Sequence, residues 1–190
     1  ISSAYRRSFF QQESVALATA RAGNVIGGGD WAKDRIIPDA MRSFMDKTPL
    51  LVRNPMATRP WQHVLEPLSG YIILCQKLVE QPQEFAEGWN FGPNEEDVQP
   101  VSILADIIVK NWGNQASWGF DEGEVHPHEA RALKLDCSKA KTQLKWKPIW
   151  TLERSLSETV QWYKAWHNKL DMHQFSLNQI KAYQQEHLAQ

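Results

Sequence analysis

The stretch Val15-Ala16-Leu17-Ala18-Thr19-Ala20-Arg21-Ala22-Gly23-Asn24-Val25-Ile26-Gly27-Gly28-Gly29-Asp30 decides the fold class. Its first six residues form a short run of small, mostly apolar side chains bounded by Arg21 and Gly23, the pattern of a parallel strand buried on both faces. It runs out through Asn24 into three consecutive glycines, which allow positive φ or a close backbone approach to a bound group. Ligands in α/β proteins sit at such strand exits. The spacing is not G-x-G-x-x-G leading at once into a helix, as a pyrophosphate cradle requires, so the run by itself reads as a flexible strand exit.

Outward from this stretch, strand and helix signals alternate, which is the mark of α/β architecture. Ile36, Ile37, Ala40, Met41 and Phe44 recur at helical spacing, with Pro38 in the first turn where its missing N–H costs nothing. Leu50-Leu51-Val52-Arg53 is a brief strand, and Arg59-Pro60-Trp61-Gln62-His63-Val64 is extended, because the residue before a proline avoids the helical region. Val64, Leu65, Leu68, Tyr71, Ile72, Cys75, Leu78 and Val79 mark one apolar face of a long helix. Trp89–Gly92 is a short strand, Pro100–Trp112 a helix, and 119–131 a polar loop containing His126-Pro127-His128-Glu129. Asp136 is placed to cap a short helix over Ser138–Leu144, and Thr151 to cap a longer one through Leu152, Leu156, Val160, Tyr163 and His167. The glutamine-rich end, 178–190, reads as a frayed helix.

Against 21 basic side chains stand 22 acidic ones, so no overall field draws this chain to nucleic acid or an anionic membrane, and any anion site has to be local. Neither a membrane-spanning apolar run nor a secretory signal is present in the 190 residues. The two cysteines, on what reads as a buried helix face and a helix start, suit reduced thiols and a cytoplasmic setting. Ile1–Phe10 reads as the tail of a helix that begins elsewhere.

Candidate chemistry is sparse. His126, His128 and Glu129 lack an i,i+4 face or a second cluster, so zinc is a poor reading; a hydrogen-bonding loop and an ordinary exposed loop both fit. Arg35, Arg53 and Arg59 stand at element edges beside prolines and aromatics, where a guanidinium can be held rigidly enough to clamp a phosphate. Any single one could equally be a solvated surface charge, although Arg59 is set apart by its neighbours Pro60 and Trp61. Of nine tryptophans, Trp112, Trp146 and Trp162 fall on or beside helix faces, whereas Trp31 and Trp61 sit in glycine and proline segments and are the two stacking candidates.

Four long motifs in order carry a resemblance. They are Arg21–Ala32 with Asp34–Asp39, Arg53–Pro55 through Arg59–Tyr71, Glu87–Pro93, and His126–Ala130 followed by Leu133–Ala140. Together they resemble the extended short-chain dehydrogenase/reductases that act on nucleotide sugars, and within them the CDP-glucose 4,6-dehydratases. The resemblance implies the carboxy-terminal part of a Rossmann-type NAD-binding domain plus a smaller mixed α/β substrate domain. Residues 1–30 would end the nucleotide-binding domain, 31–190 would be mainly substrate-binding, and 64–92 would return to the Rossmann side.

It further implies a small-molecule substrate, CDP-glucose, and a homodimer whose interface includes the helix ending near Phe10. The resemblance also implies a deoxysugar product of the kind used in lipopolysaccharide, with the particular deoxysugar pathway left open. NAD would be bound mainly by an amino-terminal half carrying the glycine-rich loop and the Tyr-x-x-x-Lys pair, so this chain would hold no catalytic residue and be inactive alone. The family's substrate-binding roles fall on Asn24 and Arg59 at the diphosphate and Arg35 at the loop helix. Val52 and Arg53 match the base pocket, and His126, His128 and Arg131 its far wall. Another nucleotide-sugar epimerase or dehydratase, and a non-catalytic sugar-nucleotide-binding module, stay open as alternatives.

Overall fold

A computed structural model of the chain describes residues 1–10, 15–120 and 133–189. It opens with helix α1 (Ser2–Tyr5), continued by a π-helical turn over Arg6–Phe10, and then strands β1 (Thr19–Ala22) and β2 (Asn24–Ile26). There follow α2 (Ile36–Met45), β3 (Leu50–Val52), β4 (Thr58–His63), α3 (Leu65–Glu80), α4 (Pro82–Phe85) and β5 (Gly88–Phe91). A short turn of 3-10 helix leads to β6 (Val98–Pro100), then α5 (Val101–Trp112), β7 (Trp118–Phe120), α6 (Ser138–Gln143), α7 (Leu152–His167) and α8 (Met172–Leu188).

Among the described residues the strands form three small, mostly parallel sheets, as the alternation of signals predicts. β1 lies parallel to β5, with Thr19 opposite Gly88 and Ala22 opposite Phe91. β2 lies parallel to β4, with Asn24 opposite Trp61, and β4 is antiparallel to β6. β3 lies parallel to β7. Two apolar clusters fill the space between layers. The first joins α2, α5 and α7 to β2, β3 and β4 through Ile26, Met41, Leu50, Leu104, Ile108 and Leu156. The second gathers Leu74, Phe85, Trp89, Phe91, Leu144 and Trp146. Burying a side chain such as Leu156 contributes on the order of 2 kcal/mol.

Polar bonds tie the clusters together. Gln62 on β4 donates to the carbonyl of Phe91 at 2.8 Å. The Glu66 carboxylate accepts from the N–H groups of Ile149 and Trp150, and Asp97 accepts from the N–H of Leu152 at 2.7 Å, so two carboxylates suspend the segment that enters α7. Burial pushes both carboxyls up, against the donors that lower them. Thr151 caps α7 by accepting from the N–H of Arg154, and Asp136 accepts from the N–H of Ser138 at the start of α6.

Four expectations are corrected. The strand begins at Thr19, not Val15, and it is not buried: Val15, Ala20 and Arg21 are exposed. Its ladder partner among the described residues is β5 alone, so one edge and part of its surface lack the covering layers that a fully buried parallel strand needs. α3 exists where periodicity places it but its buried face is rotated: Glu66, Pro67, Gly70 and Leu74 are inward, Tyr71 and Leu78 of the expected set pack against the second cluster, and Ile72 and Val79 are at 61% and 85% exposure.

That rotation has two causes. Glu66 must face its three hydrogen-bond donors, and Gly70 admits the Phe91 ring so closely that a Cβ would lie 2.3 Å from it. Cys75, expected on the buried face, is accordingly exposed, while Cys137 is buried; both are free thiols. Finally, the glutamine-rich tail is no frayed end: α8 runs through it from Met172, capped by Asp171 accepting from the N–H of Gln174 at 3.0 Å and anchored by buried Tyr183. The Asp171-x-x-Gln174 pattern is the local signal for that start.

Candidate substrate cleft

β2 and β4 run side by side, and their register places Asn24 opposite Trp61. Arg59 and Trp61, two apart on β4, share a face of that strand, while Pro60 and Gln62 take the other. The face carrying Asn24, Arg59 and Trp61 forms the floor of a cleft of about 510 Å³. Its walls come from the glycine loop, the amino-terminal turn of α2, and β3 with the residues that follow it. The volume suits a small organic ligand.

Five residues singled out from the sequence, Asn24, Arg35, Val52, Arg53 and Arg59, line this one cleft, although they come from β2, the edge of α2, β3 and β4. Val52 is buried at the end of β3, and Arg53, the next residue, has a half-exposed side chain. Arg53 donates to Asp34 at 2.9 Å, across from β3. Arg35 precedes α2 in an extended conformation and donates to Asp30, also at 2.9 Å. The Arg59 guanidinium donates to the Thr58 carbonyl at 3.0 Å. Three guanidinium groups thus share one concavity with the carboxylates of Asp30, Asp34 and Asp39, a concentration of charge in a chain whose net charge is −1. His126, His128 and Arg131 lie outside the described residues.

Two features of the cleft were not foreseen. Asp30 and Asp34 act as counter-charges that hold Arg35 and Arg53, a pairing spread over intervals of 5 and 19 residues that no local motif announces. Burial pushes the Asp30 carboxyl up, but the Ala32 N–H and the Arg35 guanidinium outweigh it and hold it below its ordinary value. The two tryptophans also separate. Trp61 lines the cleft, whereas Trp31 is not among the lining residues and packs its ring against Tyr163 and Trp166 of α7, at 5.1 and 4.5 Å between centroids. Trp112 and Trp146 are core, as their helix positions suggest.

The Gly27-Gly28-Gly29 run is occupied by protein: a Cβ on Gly28 would lie 2.1 Å from the indole of Trp162. With that space filled and no helix following at once, these residues do not fit a dinucleotide pyrophosphate. Among the described residues no group of three His, Cys, Asp or Glu side chains converges, and no helix is long and apolar enough to cross a membrane.

No family model matches the chain. It is 54% identical over 188 residues to CDP-glucose 4,6-dehydratase of Salmonella typhimurium (strain LT2), an alignment that covers 96% of this chain and 52% of that protein. The chain therefore spans about half the length of this curated relative. Among solved structures, UDP-glucuronic acid 4-epimerase from Bacillus cereus, in complex with UDP-glucuronic acid and NAD, superposes with a TM-score of 0.69 at 19% identity, covering 86% of this chain and 48% of that one. dTDP-glucose 4,6-dehydratase from Bacillus anthracis, in complex with NAD, superposes with a TM-score of 0.64 at 19% identity, over 85% of this chain and 47% of that one. At such identities the likeness concerns the fold: a mixed α/β chain matching the carboxy-terminal part of the Rossmann-type epimerase/dehydratase fold.

Proposed function

We propose that this chain builds the sugar-nucleotide side of a dehydratase that converts CDP-glucose to CDP-4-keto-6-deoxyglucose. The observation that carries the reading is the convergence of Asn24, Arg35, Arg53 and Arg59 on one cleft, in a chain 54% identical to a CDP-glucose 4,6-dehydratase. A diphosphate is the ligand that the guanidinium groups of Arg35 and Arg59 and the amide of Asn24 at a strand end would grip, and bidentate guanidinium contacts are the strong form of that grip. In the same reading Val52 and Arg53 wall the base, and His126, His128 and Arg131 belong to the far wall.

The reaction is redox-neutral. Hydride leaves sugar carbon 4, water is lost across carbons 5 and 6, and the hydride returns at carbon 6, with NAD as the hydride carrier. The residues around Gly28 offer NAD no cradle, and the chain contains no Tyr-x-x-x-Lys. What this chain does is therefore to bind and orient the substrate, and by itself it turns nothing over. The proposed division assigns 1–30 and 64–92 to the nucleotide side and most of 31–190 to the substrate side. The second apolar cluster supports that division for 64–92, with Ala140–Trp146 joining the nucleotide side, whereas Ile26 of the first stretch packs into the other cluster. A homodimer and a cytoplasmic setting complete the proposal.

Isothermal titration of the chain with CDP-glucose, CDP and cytidine tests it. Binding of the first two and little of the third is expected, together with no alkali-absorbing keto product on incubation with NAD and CDP-glucose. Failure to bind CDP overturns the reading.

A further inference from the structure

We propose that Tyr163 and Trp162, both on α7 and outside the cleft lining, are positioning residues for Arg35, acting through the loop 27–31. This deepens the sugar-nucleotide reading and rests on it.

Three consecutive glycines leave the wall of the cleft with little intrinsic order, so a binding geometry there has to be imposed from outside the loop. Four sets of contacts impose it. Gly28 lies so close to the Trp162 indole that a Cβ there would be 2.1 Å from the ring, and Trp162 is itself fixed by donating from Nε1 to Ser176 of α8 at 3.0 Å. The Tyr163 hydroxyl donates to the backbone carbonyl of Asp30. Trp31, the next residue, sets its ring against Tyr163 and Trp166, while Arg42 of α2 donates to the carbonyls of Trp31 and Ala32 at 3.0 and 3.1 Å.

With its backbone held on one side by Tyr163, Asp30 presents its carboxylate to Arg35 at 2.9 Å and to the Ala32 N–H at 3.0 Å. The Arg35 side chain is 66% exposed, and a long guanidinium side chain at that exposure has no packing to restrict its rotamers. Asp30 is what aims it. The linkage runs from the α7 hydroxyl through the Asp30 backbone and carboxylate to a guanidinium on the cleft wall. Burial, followed by the Asp30 charge, pushes the Tyr163 hydroxyl up to about 12, so it stays a donor throughout the working pH range.

The test is a double-mutant cycle read by CDP titration of the whole chain, with Tyr163→Phe, Arg35→Ala and the pair. Tyr163→Phe keeps the ring in place and is expected to weaken CDP binding about five-fold, the size of one lost hydrogen bond. In the Arg35→Ala background the same substitution is expected to change affinity by less than about two-fold, because its route to the ligand has been removed. Gly28→Ala, which lifts the loop off Trp162, supplies a second arm with the same expected dependence on Arg35. Equal losses in both backgrounds, or no loss in either, overturn the inference while leaving the function standing. A chain with no affinity for CDP before any substitution sinks both.

Discussion

The carboxylate of Glu66, on the first turn of α3, accepts the backbone N–H of Trp150 at 2.8 Å, 84 residues along the chain. The same carboxylate takes the N–H of Ile149 at 3.1 Å and the hydroxyl of Tyr183 at 2.8 Å, so one buried side chain fixes α3, the entry to α7 and α8 together. Tyr183 also meets the hydroxyl of Ser69, which accepts from the Trp146 indole.

Removing that acceptor should therefore cost more than an ordinary core substitution. Glu66→Ala leaves two backbone donors and a phenol unpaired in the interior, and a loss of about 3–5 kcal/mol is expected in urea unfolding. Glu66→Gln retains one acceptor oxygen and should lose less. Tyr183→Phe, which removes one donor and leaves the carboxylate its two backbone partners, should cost about 1 kcal/mol. A neutral Glu66→Ala result would show that solvent replaces the network.

Acid should unfold the chain through His63. Burial pushes this imidazole down from 6.5 to about 4, and its Nδ1 accepts the Leu65 N–H. Between those two values the unfolded chain carries a proton that the folded chain does not, so unfolding free energy rises with pH across the window and is lost as pH falls through it. The expected span is roughly 3 kcal/mol. Glu66 and Asp97, whose carboxyls burial pushes up, contribute with the opposite sign above their ordinary values and offset part of it. His63→Asn keeps an acceptor for Leu65 and should flatten the pH profile measured by thermal denaturation; an unchanged slope would assign acid sensitivity to other groups.

Arg59→Ala is expected to weaken CDP and CDP-glucose binding together, by about 2–4 kcal/mol, because a partly desolvated diphosphate would lose a charge-assisted partner. Arg59→Lys should recover only part of it, since a point charge cannot make two parallel hydrogen bonds. Calorimetry with both ligands checks this, and a loss confined to CDP-glucose would move Arg59 from the phosphates to the sugar.

Asp34 is expected to compete with a bound CDP for Arg53. It holds Arg53 at the cleft mouth while being 79% exposed, and its φ of 61° is one that asparagine also adopts readily. Asp34→Asn should strengthen CDP binding about two- to five-fold at low salt, with the gain shrinking as ionic strength rises. Weaker binding would make the Asp34–Arg53 pair part of the site rather than its competitor.

Much of the architecture was legible in the chain itself. The apolar spacing of Ile36 to Phe44 marks α2, Thr151 and Asp136 sit where they bond helix-start N–H groups, and Leu50–Val52 and the Trp89 strand lie where expected. The ordered motifs around Asn24, Arg59, Trp89 and Asp136 carried the resemblance to CDP-glucose 4,6-dehydratases that the 54% identity matches. These features depend on neighbours within a few residues, and periodicity, capping and motif spacing record such interactions directly.

Tertiary structure decided the rest. α3 has apolar residues on more than one face, and the choice between them fell to Glu66, whose donors lie 83, 84 and 117 residues away. Trp31 went to α7 instead of the cleft because Tyr163 and Trp166, far along the chain, offered it a packed surface. The cleft likewise exists only once β2, β3, β4 and α2 are side by side, since each arginine taken alone is indistinguishable from a solvated charge. A side chain's type and spacing fix what it can bond or bury; which partner it meets is settled by contacts between distant segments, whose free energies no local window contains.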